Sequence, residues 1–191
     1  MILDILFFQE YNKEKKEENI MEDNLLNISV YIINYSNEIH SPINNLKLQK
    51  ILYYLQAISL VELNQKCFES KIMKWHTGPG IPFVYQYFRI YGHGAIPTQK
   101  QPQKMRFDKN TMNIISEDMP QLDLKMKKII QKLVMSYSNI SNSFYMLKEK
   151  DNPWETTNIS EEISSEKLKK YYKKHKNELY GNNLDIIYQV C

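Results

Sequence analysis

Residues 43–92 read INNLKLQKILYYLQAISLVELNQKCFESKIMKWHTGPGIPFVYQYFRIYG and hold the strongest hydrophobic pattern of this 191-residue chain. Apolar and small residues recur there with the i, i+3, i+4 and i+7 spacing of a helix. These positions are Leu48, Ile51, Leu52, Leu55, Ile58 and Ser59, widened by Leu46, Tyr53, Tyr54 and Leu60. A helix that is apolar nearly all round lies inside a protein. The pattern therefore predicts a central helix over 44–63, with Asn44 as its N-cap.

The second half of this stretch predicts a tight corner between an extended segment and another helix. Weak alternation over 67–75 favours a short strand. Gly78-Pro79-Gly80 predicts the corner, because glycine allows positive φ and proline fixes its own. Pro82 suits the first turn of a helix over 82–91, and Gly92 would stop it. The side chains expected to face inward are Val84, Tyr85 and Phe88.

Outside this stretch the sequence predicts more helices and little sheet. Helices are expected at 24–39, 123–137, 142–148 and 165–179, and a hairpin within 105–115. Asp23 or Asn24, Asp123 and Ser164 are the expected caps. The division expected is an N-terminal extension (1–22), a helical domain (23–179) and a C-terminal tail (180–191). The predicted fold is mainly α, a single compact helical domain with a short extended segment or small β-hairpin.

Composition narrows the class of protein. The hydrophobic fraction of 42% is typical of globular proteins, and a net charge of +3 is too small to indicate a nucleic-acid-binding protein. Two cysteines without a CxxC spacing favour neither a disulfide framework nor a metal site. The opening MILDILFF lacks a basic flank, and no later run has the roughly 18 apolar residues that span a bilayer. These features predict a cytoplasmic protein with no cofactor and no membrane partner.

The residues that commonly carry chemistry are sparse. The chain has no P-loop, GxSxG, HExxH or GxGxxG motif, and its four histidines lie far apart. Cys67 could be a nucleophile, but a free cysteine more often packs as a small hydrophobe. His76, beside Trp75, has no carboxylate partner in view, which favours a structural or binding role over acid–base catalysis. The sequence predicts a protein that is not an enzyme.

Two segments are candidates for contact with a partner. The apolar opening precedes a mixed charge run and is either a solvated arm or a docking segment. The run KLKKYYKKHK at 167–176 could place lysines on phosphates and tyrosines on bases, or it could be an ordinary amphipathic helix, which the nearby glutamates favour. The candidate partner-binding residues are Phe7, Phe8, His76, Lys169, Lys170, Tyr172 and Lys173.

A set of residues in a fixed order carries a family resemblance. The set comprises Leu48-Gln49-Lys50, Tyr53-Tyr54, Trp75, Gly78-Pro79, Pro82, Tyr85 and Gly92, followed by Pro153-Trp154. In this set and over about 25–176 the chain resembles the Panacea antitoxin domain, a SocA-like, phage-associated family. It departs from the family at Gly80, where a β-branched residue is usual, and at Asn44, where threonine is common.

The resemblance implies an antitoxin of a bacterial or prophage toxin–antitoxin pair, type II-like, that neutralises its toxin by direct binding. The toxin would be encoded by an adjacent gene, and one branch of the family delivers its toxin to a Clp-type protease. The family is not known for enzymes, and its shared residues look mainly structural. The alternative hypothesis is a phage-derived regulator or nucleic-acid-binding protein that uses the basic C-terminal helix.

Overall fold

The computed structural model describes residues 24–108, 111–139 and 152–180. These residues are about 50% helical and 13% strand, in a mixed α/β arrangement with two small antiparallel sheets. The prediction of a mainly α fold is therefore wrong. Residues 78–80, which the sequence indicated only as a tight corner, form a strand that pairs with residues 73–75. The extension 1–22, the helix predicted at 142–148 and residues 181–191 lie outside the described residues.

The elements follow one another along the chain as short helices and hairpins. The helices are α1 (24–38), α2 (Asn45–Ile58), α3 (Pro82–Tyr87), α4 (Leu124–Tyr137), α5 (Asn152–Glu155) and α6 (Ser165–Tyr172). The strands are β1 (Met73–Trp75), β2 (Gly78–Gly80), β3 (Gln103–Asp108) and β4 (Asn113–Asp118). A π-helical turn at Ser59–Leu63 extends α2, and 3₁₀ turns lie at Arg89–Tyr91 and Lys176–Glu178.

Helix α2 is the centre of the core, as its sequence predicts. Each of its residues except Leu46 is buried. The Asn44 side chain caps it by accepting a hydrogen bond from the Lys47 N–H, at 2.9 Å. The π-helical turn then ends at Asn64, which adopts the left-handed conformation. Helices α3, α4 and α6 and strand β2 all pack on α2, so this helix fixes the position of its neighbours.

A cluster of buried tyrosines joins three helices. The Tyr54 ring of α2 stacks on Tyr137 of α4, with centroids 5.3 Å apart. Tyr172 of α6 meets Tyr54 edge-on at 6.1 Å, and Tyr53 meets Tyr54 edge-on at 5.3 Å. Buried aromatic pairs of this geometry stabilise a core beyond their buried area. Tyr53 and Tyr54 thus hold α4 and α6 against the central helix α2.

The first hairpin corrects the predicted corner. Strands β1 and β2 pair in an antiparallel register that sets Met73 opposite Gly80 and Trp75 opposite Gly78. The turn is therefore His76-Thr77, and Gly78-Pro79-Gly80 is the returning strand. Gly78 has φ of 122°, a conformation that only glycine adopts readily. Residues 160–163 bond to the other edge of β1, where the Ile163 N–H donates to the Ile72 carbonyl at 2.7 Å.

The second hairpin confirms the prediction at 105–115 and extends it. Its register runs from Gln103 opposite Asp118 to Asp108 opposite Asn113. The strands pack chiefly on each other. One face carries Met105 and Phe107 of β3 beside Ile114 of β4, and these three side chains are exposed.

The C-terminal helices differ from their predictions mainly at their ends. Asp123 caps α4 and Ser164 caps α6, as predicted. The apolar pattern of 123–137 would place Leu124 with Met126, Ile129 and Ile130 on the buried side of α4, but Leu124 is 77% exposed. It lies two residues before Met126, about 200° away around the helix, and so faces solvent. Helix α6 ends at Tyr172 instead of continuing to 179.

Candidate partner-binding surface

A cleft lies where the start of α2, the β1–β2 turn, the segment 85–93 and the loop 159–160 meet. We call it the Trp75 cleft. Its volume is about 520 Å³. The Trp75 and Tyr85 rings meet edge to face within it, with centroids 5.2 Å apart. Tyr85, expected to face inward, is 41% exposed, whereas Val84 and Phe88 are buried. The prediction for Tyr85 is therefore wrong, because its position on α3 points into the cleft rather than into the core.

A chain of buried hydrogen bonds holds the cleft wall in place. The Gln49 side chain accepts from the Ile81 N–H at 2.7 Å and donates to the Asn45 side chain at 2.9 Å. Asn45 in turn donates to the Tyr85 carbonyl at 2.9 Å. Buried polar groups that are fully bonded rigidify their surroundings. This chain ties α3 to α2 and thereby positions the Tyr85 ring.

Gly80 explains one departure from the family pattern. A Cβ atom at this position would overlap the Trp75 ring. The ring therefore occupies the space that a β-branched side chain would need in the conformation seen here. Glycine at 80 therefore allows the observed placement of the Trp75 ring, which lines the cleft.

The other family residues lie in the core and at turns. Leu48, Lys50, Tyr53 and Tyr54 are buried on α2, and burial lowers the pKa of Lys50. The remaining positions are Gly78 and Pro79 in β2, Pro82 at the start of α3, Gly92 at the end of the 3₁₀ turn Arg89–Tyr91 with φ of 53°, and Pro153, buried in α5.

In the sequence, Asp151-Asn152-Pro153-Trp154 is typical of a loop whose indole must find a pocket, but Trp154 lies in the short helix α5. Its ring is covered by the Lys74 ammonium, 4.4 Å from the ring centroid, a favourable cation–π distance. Its indole N–H is buried and bonds to no described residue. The predicted pocket for this indole is therefore made partly by a lysine of β1.

The candidate partner-binding residues are not all brought together. Phe7 and Phe8 lie outside the described residues. His76 is exposed and lines the Trp75 cleft, which includes no residue of α6. Lys170 and Lys173 are exposed, whereas Tyr172 is 1% exposed and packs in the tyrosine cluster. The side chain of Tyr172 is thus a core side chain in this structure.

The basic segment has the contacts of an amphipathic helix. The Lys169 ammonium donates to the Asn64 side chain. Lys167 donates to the Thr156 carbonyl at 3.0 Å and to the Thr157 hydroxyl at 2.9 Å. The Tyr171 hydroxyl donates to Glu178 at 2.9 Å. These side chains stabilise the fold, and the tyrosines of the segment are not presented as a stacking platform for bases.

Cys67 is a buried packing residue. Its thiol donates to the Gln56 side-chain oxygen at 3.0 Å, and burial raises the pKa of the thiol well above its usual range. A nucleophilic cysteine needs a lowered pKa and access to solvent. The structure therefore favours the packing interpretation of Cys67.

Sequence reasoning missed most of the cleft. Arg89, His93 and Ile159 line it beside Trp75 and Tyr85, but they come from segments up to 84 residues apart in the chain. No local periodicity could have joined them. The hairpin face is easier to detect in the sequence, because Met105 and Phe107 alternate with polar residues. The sequence alone, however, does not show whether these two side chains are buried or exposed.

A family model described as "Antitoxin SocA-like, Panacea domain" matches residues 48–155, more than half of the chain. The chain belongs to this family. The match begins in α2 and ends in α5, so it includes both rings of the Trp75 cleft, and it confirms the resemblance found in the sequence. No curated protein and no solved structure matches the chain.

Membership supports an antitoxin-like role, implies a toxin as partner in general, and suggests a regulatory rather than enzymatic protein. Within 24–108, 111–139 and 152–180, no three histidine, cysteine, aspartate or glutamate residues are grouped so that they could hold a metal ion. In the same ranges, no helix has the length and apolar character needed to cross a membrane.

Proposed function

We propose that this SocA-like protein is the antitoxin of a type II-like toxin–antitoxin pair and neutralises its toxin by binding it directly. The family match over 48–155 is the observation that carries the proposal. The chemistry of the described residues agrees with it, because Cys67 is buried and the exposed His76 lies in a cleft with aromatic walls. Neutralisation would then act by covering a surface that the toxin needs.

Co-expression tests the proposal directly. The toxic product of the adjacent gene should arrest growth when expressed alone, and growth should return when the two genes are expressed together. The two proteins should also co-purify. The control is Leu52→Arg, which places a charge in the fully buried core of α2 and should abolish folding. Absence of both rescue and a complex would contradict the proposal.

We further propose, as an extension, that the antitoxin hands its toxin to a Clp-type protease. The toxin's half-life in cells, measured after synthesis is stopped, should then shorten when the antitoxin is present and lengthen again when the protease gene is deleted. A half-life that does not depend on the protease would leave neutralisation by covering as the whole mechanism.

The proposed domain division assigns residues 1–22 to an extension that includes Phe7 and Phe8. We expect this extension to contribute to toxin binding if it is a docking segment. Deletion of residues 1–20, with Phe7→Ser/Phe8→Ser as the finer variant, measures its share in the rescue assay. Full rescue by both variants would assign the contact to residues 23–179.

A further inference from the structure

Among the lining residues that the structure describes, the charged side chain of the Trp75 cleft is that of Arg89. Arg89 lines the cleft, and its guanidinium group forms no hydrogen bond or ion pair with a described residue. The side chains of His76 and His93 also line the cleft, and none of the lining residues within the described ranges carries a carboxylate. An anionic group would therefore enter the cleft without meeting a like charge.

The acidic residues next to the cleft are already engaged. Glu161 and Glu162 follow Ser160, which lines the cleft. The Glu161 carboxylate accepts a hydrogen bond from the Asn158 side chain at 3.0 Å. Glu162 lies 3.7 Å from the Lys71 ammonium. Neither residue pairs with Arg89, so the guanidinium remains available to a ligand.

The residue types in the cleft favour a protein ligand. Tryptophan, tyrosine and arginine are the side chains most enriched among the residues that dominate binding energy at protein interfaces. Here Trp75, Tyr85 and Arg89 meet in one concavity, and Tyr85 and Arg89 are exposed. The cleft thus opens to solvent instead of enclosing a small molecule, which suits a segment that approaches on the surface of another protein.

The cleft is also held in shape before any ligand arrives. Asn45 fixes the Tyr85 backbone, as described above, and the Asn44 side chain donates to the His93 carbonyl at 3.4 Å. The Trp75 backbone is set by pairing with Gly78. A surface whose backbone is already ordered loses less entropy on binding. Binding here requires only side-chain adjustment.

We propose that the Trp75 cleft docks a short acidic segment of the toxin. An apolar side chain of the segment packs on the Trp75 and Tyr85 rings, and a neighbouring carboxylate pairs with Arg89. The proposal rests on the proposed function, since it names the part of the antitoxin that holds the toxin and the chemistry it recognises. The volume of about 520 Å³ lies in the range of known ligand clefts and accommodates a few side chains.

The test measures the affinity of purified antitoxin variants for the toxic product of the adjacent gene by titration calorimetry. Arg89→Glu and Tyr85→Ala should each weaken binding at least about tenfold, as central interface residues do. Arg89→Lys should retain part of the affinity, because it keeps the charge. Lys125→Glu is the matched control, an exposed charge reversal on α4, and should change the affinity less than about twofold. Circular dichroism and thermal unfolding verify that each variant is folded.

The outcomes separate the two proposals. If the wild-type protein binds the toxin and Arg89→Glu and Tyr85→Ala bind equally well, the docking proposal is overturned while the antitoxin function stands. Equal losses in Arg89→Glu and Lys125→Glu would also overturn it, because they would indicate attraction by overall charge. If the wild-type protein binds no toxin, both proposals fail.

A suppressor screen tests the acidic chemistry separately. Toxin variants that regain binding to Arg89→Glu should replace an aspartate or glutamate by lysine or arginine. Suppressors that never alter an acidic residue would contradict the charge pairing.

Discussion

Gln56 is the buried side chain that holds the loop after α2 against the core. Its oxygen accepts hydrogen bonds from the Cys67 N–H at 2.9 Å and from the Cys67 thiol, and its amide donates to the Phe68 carbonyl at 2.9 Å. One glutamine thus satisfies two buried backbone groups. Its removal leaves them without partners, at a cost of about 1–3 kcal/mol for each group.

We therefore expect Gln56→Ala to lower the free energy of unfolding by about 2–6 kcal/mol. Urea unfolding followed by circular dichroism measures the change. Gln65→Ala is the matched control, because Gln65 is exposed and surface substitutions usually change stability by less than about 0.5 kcal/mol. A similar midpoint for the two variants would show that water replaces the Gln56 bonds at little cost.

Cys67 gives a second prediction at this scale. With Cys191→Ser removing the other thiol, Cys67 should react with Ellman's reagent only slowly in the folded protein at mildly alkaline pH. The reason is that burial both covers the thiol and raises its pKa, which suppresses the reactive thiolate. In concentrated guanidinium chloride the reaction should be complete within the dead time of mixing.

The control for this reaction is an exposed thiol in the same loop. Gln65→Cys, combined with Cys67→Ser and Cys191→Ser, should react in the folded state as fast as in denaturant. Rapid reaction of Cys67 with Ellman's reagent in the folded protein would support the hypothesis that Cys67 is a nucleophile.

At the scale of elements, the β3–β4 hairpin stands apart from the core. An isolated two-stranded hairpin is marginally stable in water, yet its face carries Phe107 and Ile114, which are 52% and 73% exposed. These two residues lie directly opposite each other in the register. They contribute to cross-strand pairing and not to the packing of the helices.

The double variant Phe107→Thr/Ile114→Thr should therefore leave the free energy of unfolding of the protein within about 0.5 kcal/mol of the wild-type value. Threonine keeps a good strand propensity. Ile130→Thr, in the fully buried face of α4, should cost at least about 2 kcal/mol. Chemical denaturation distinguishes the two, and comparable losses would place the hairpin within the cooperative core.

For the whole molecule, the charge distribution predicts weak interaction with nucleic acid. The net charge is +3, and two lysines of the basic segment are engaged with Thr156, Thr157 and Asn64. We expect fluorescence anisotropy to give a dissociation constant for duplex DNA no tighter than the roughly 10⁻⁴–10⁻⁶ M of non-specific binding at physiological salt.

Tighter binding that falls steeply with salt and is lost in Lys170→Glu/Lys173→Glu would support the nucleic-acid hypothesis instead. The control is Lys100→Glu/Lys125→Glu, which reverses two exposed charges away from α6. If both pairs weaken binding equally, the interaction is a property of the net charge and not of the helix.

Patterns within a few residues of each other were sufficient to predict much of the fold. The stripe of α2, the caps Asn44, Asp123 and Ser164, and the stop at Gly92 are set by local hydrogen bonding and periodicity. The order of the motif residues also identified the family. These features depend on the chain's own neighbours, which the sequence displays directly.

Only the tertiary structure decided which surface is available to a partner. Tyrosine is buried at Tyr172 and exposed at Tyr85, and leucine is buried at Leu52 and exposed at Leu124. The reason is that exposure depends on which elements pack over a helix face. The Trp75 cleft depends on contacts between α2, α3 and two turns. The strand Gly78–Gly80 forms only because it pairs with β1 across the turn His76-Thr77. Burial is a property of the assembled core, so the sequence determined the elements and the family, while packing determined the cleft.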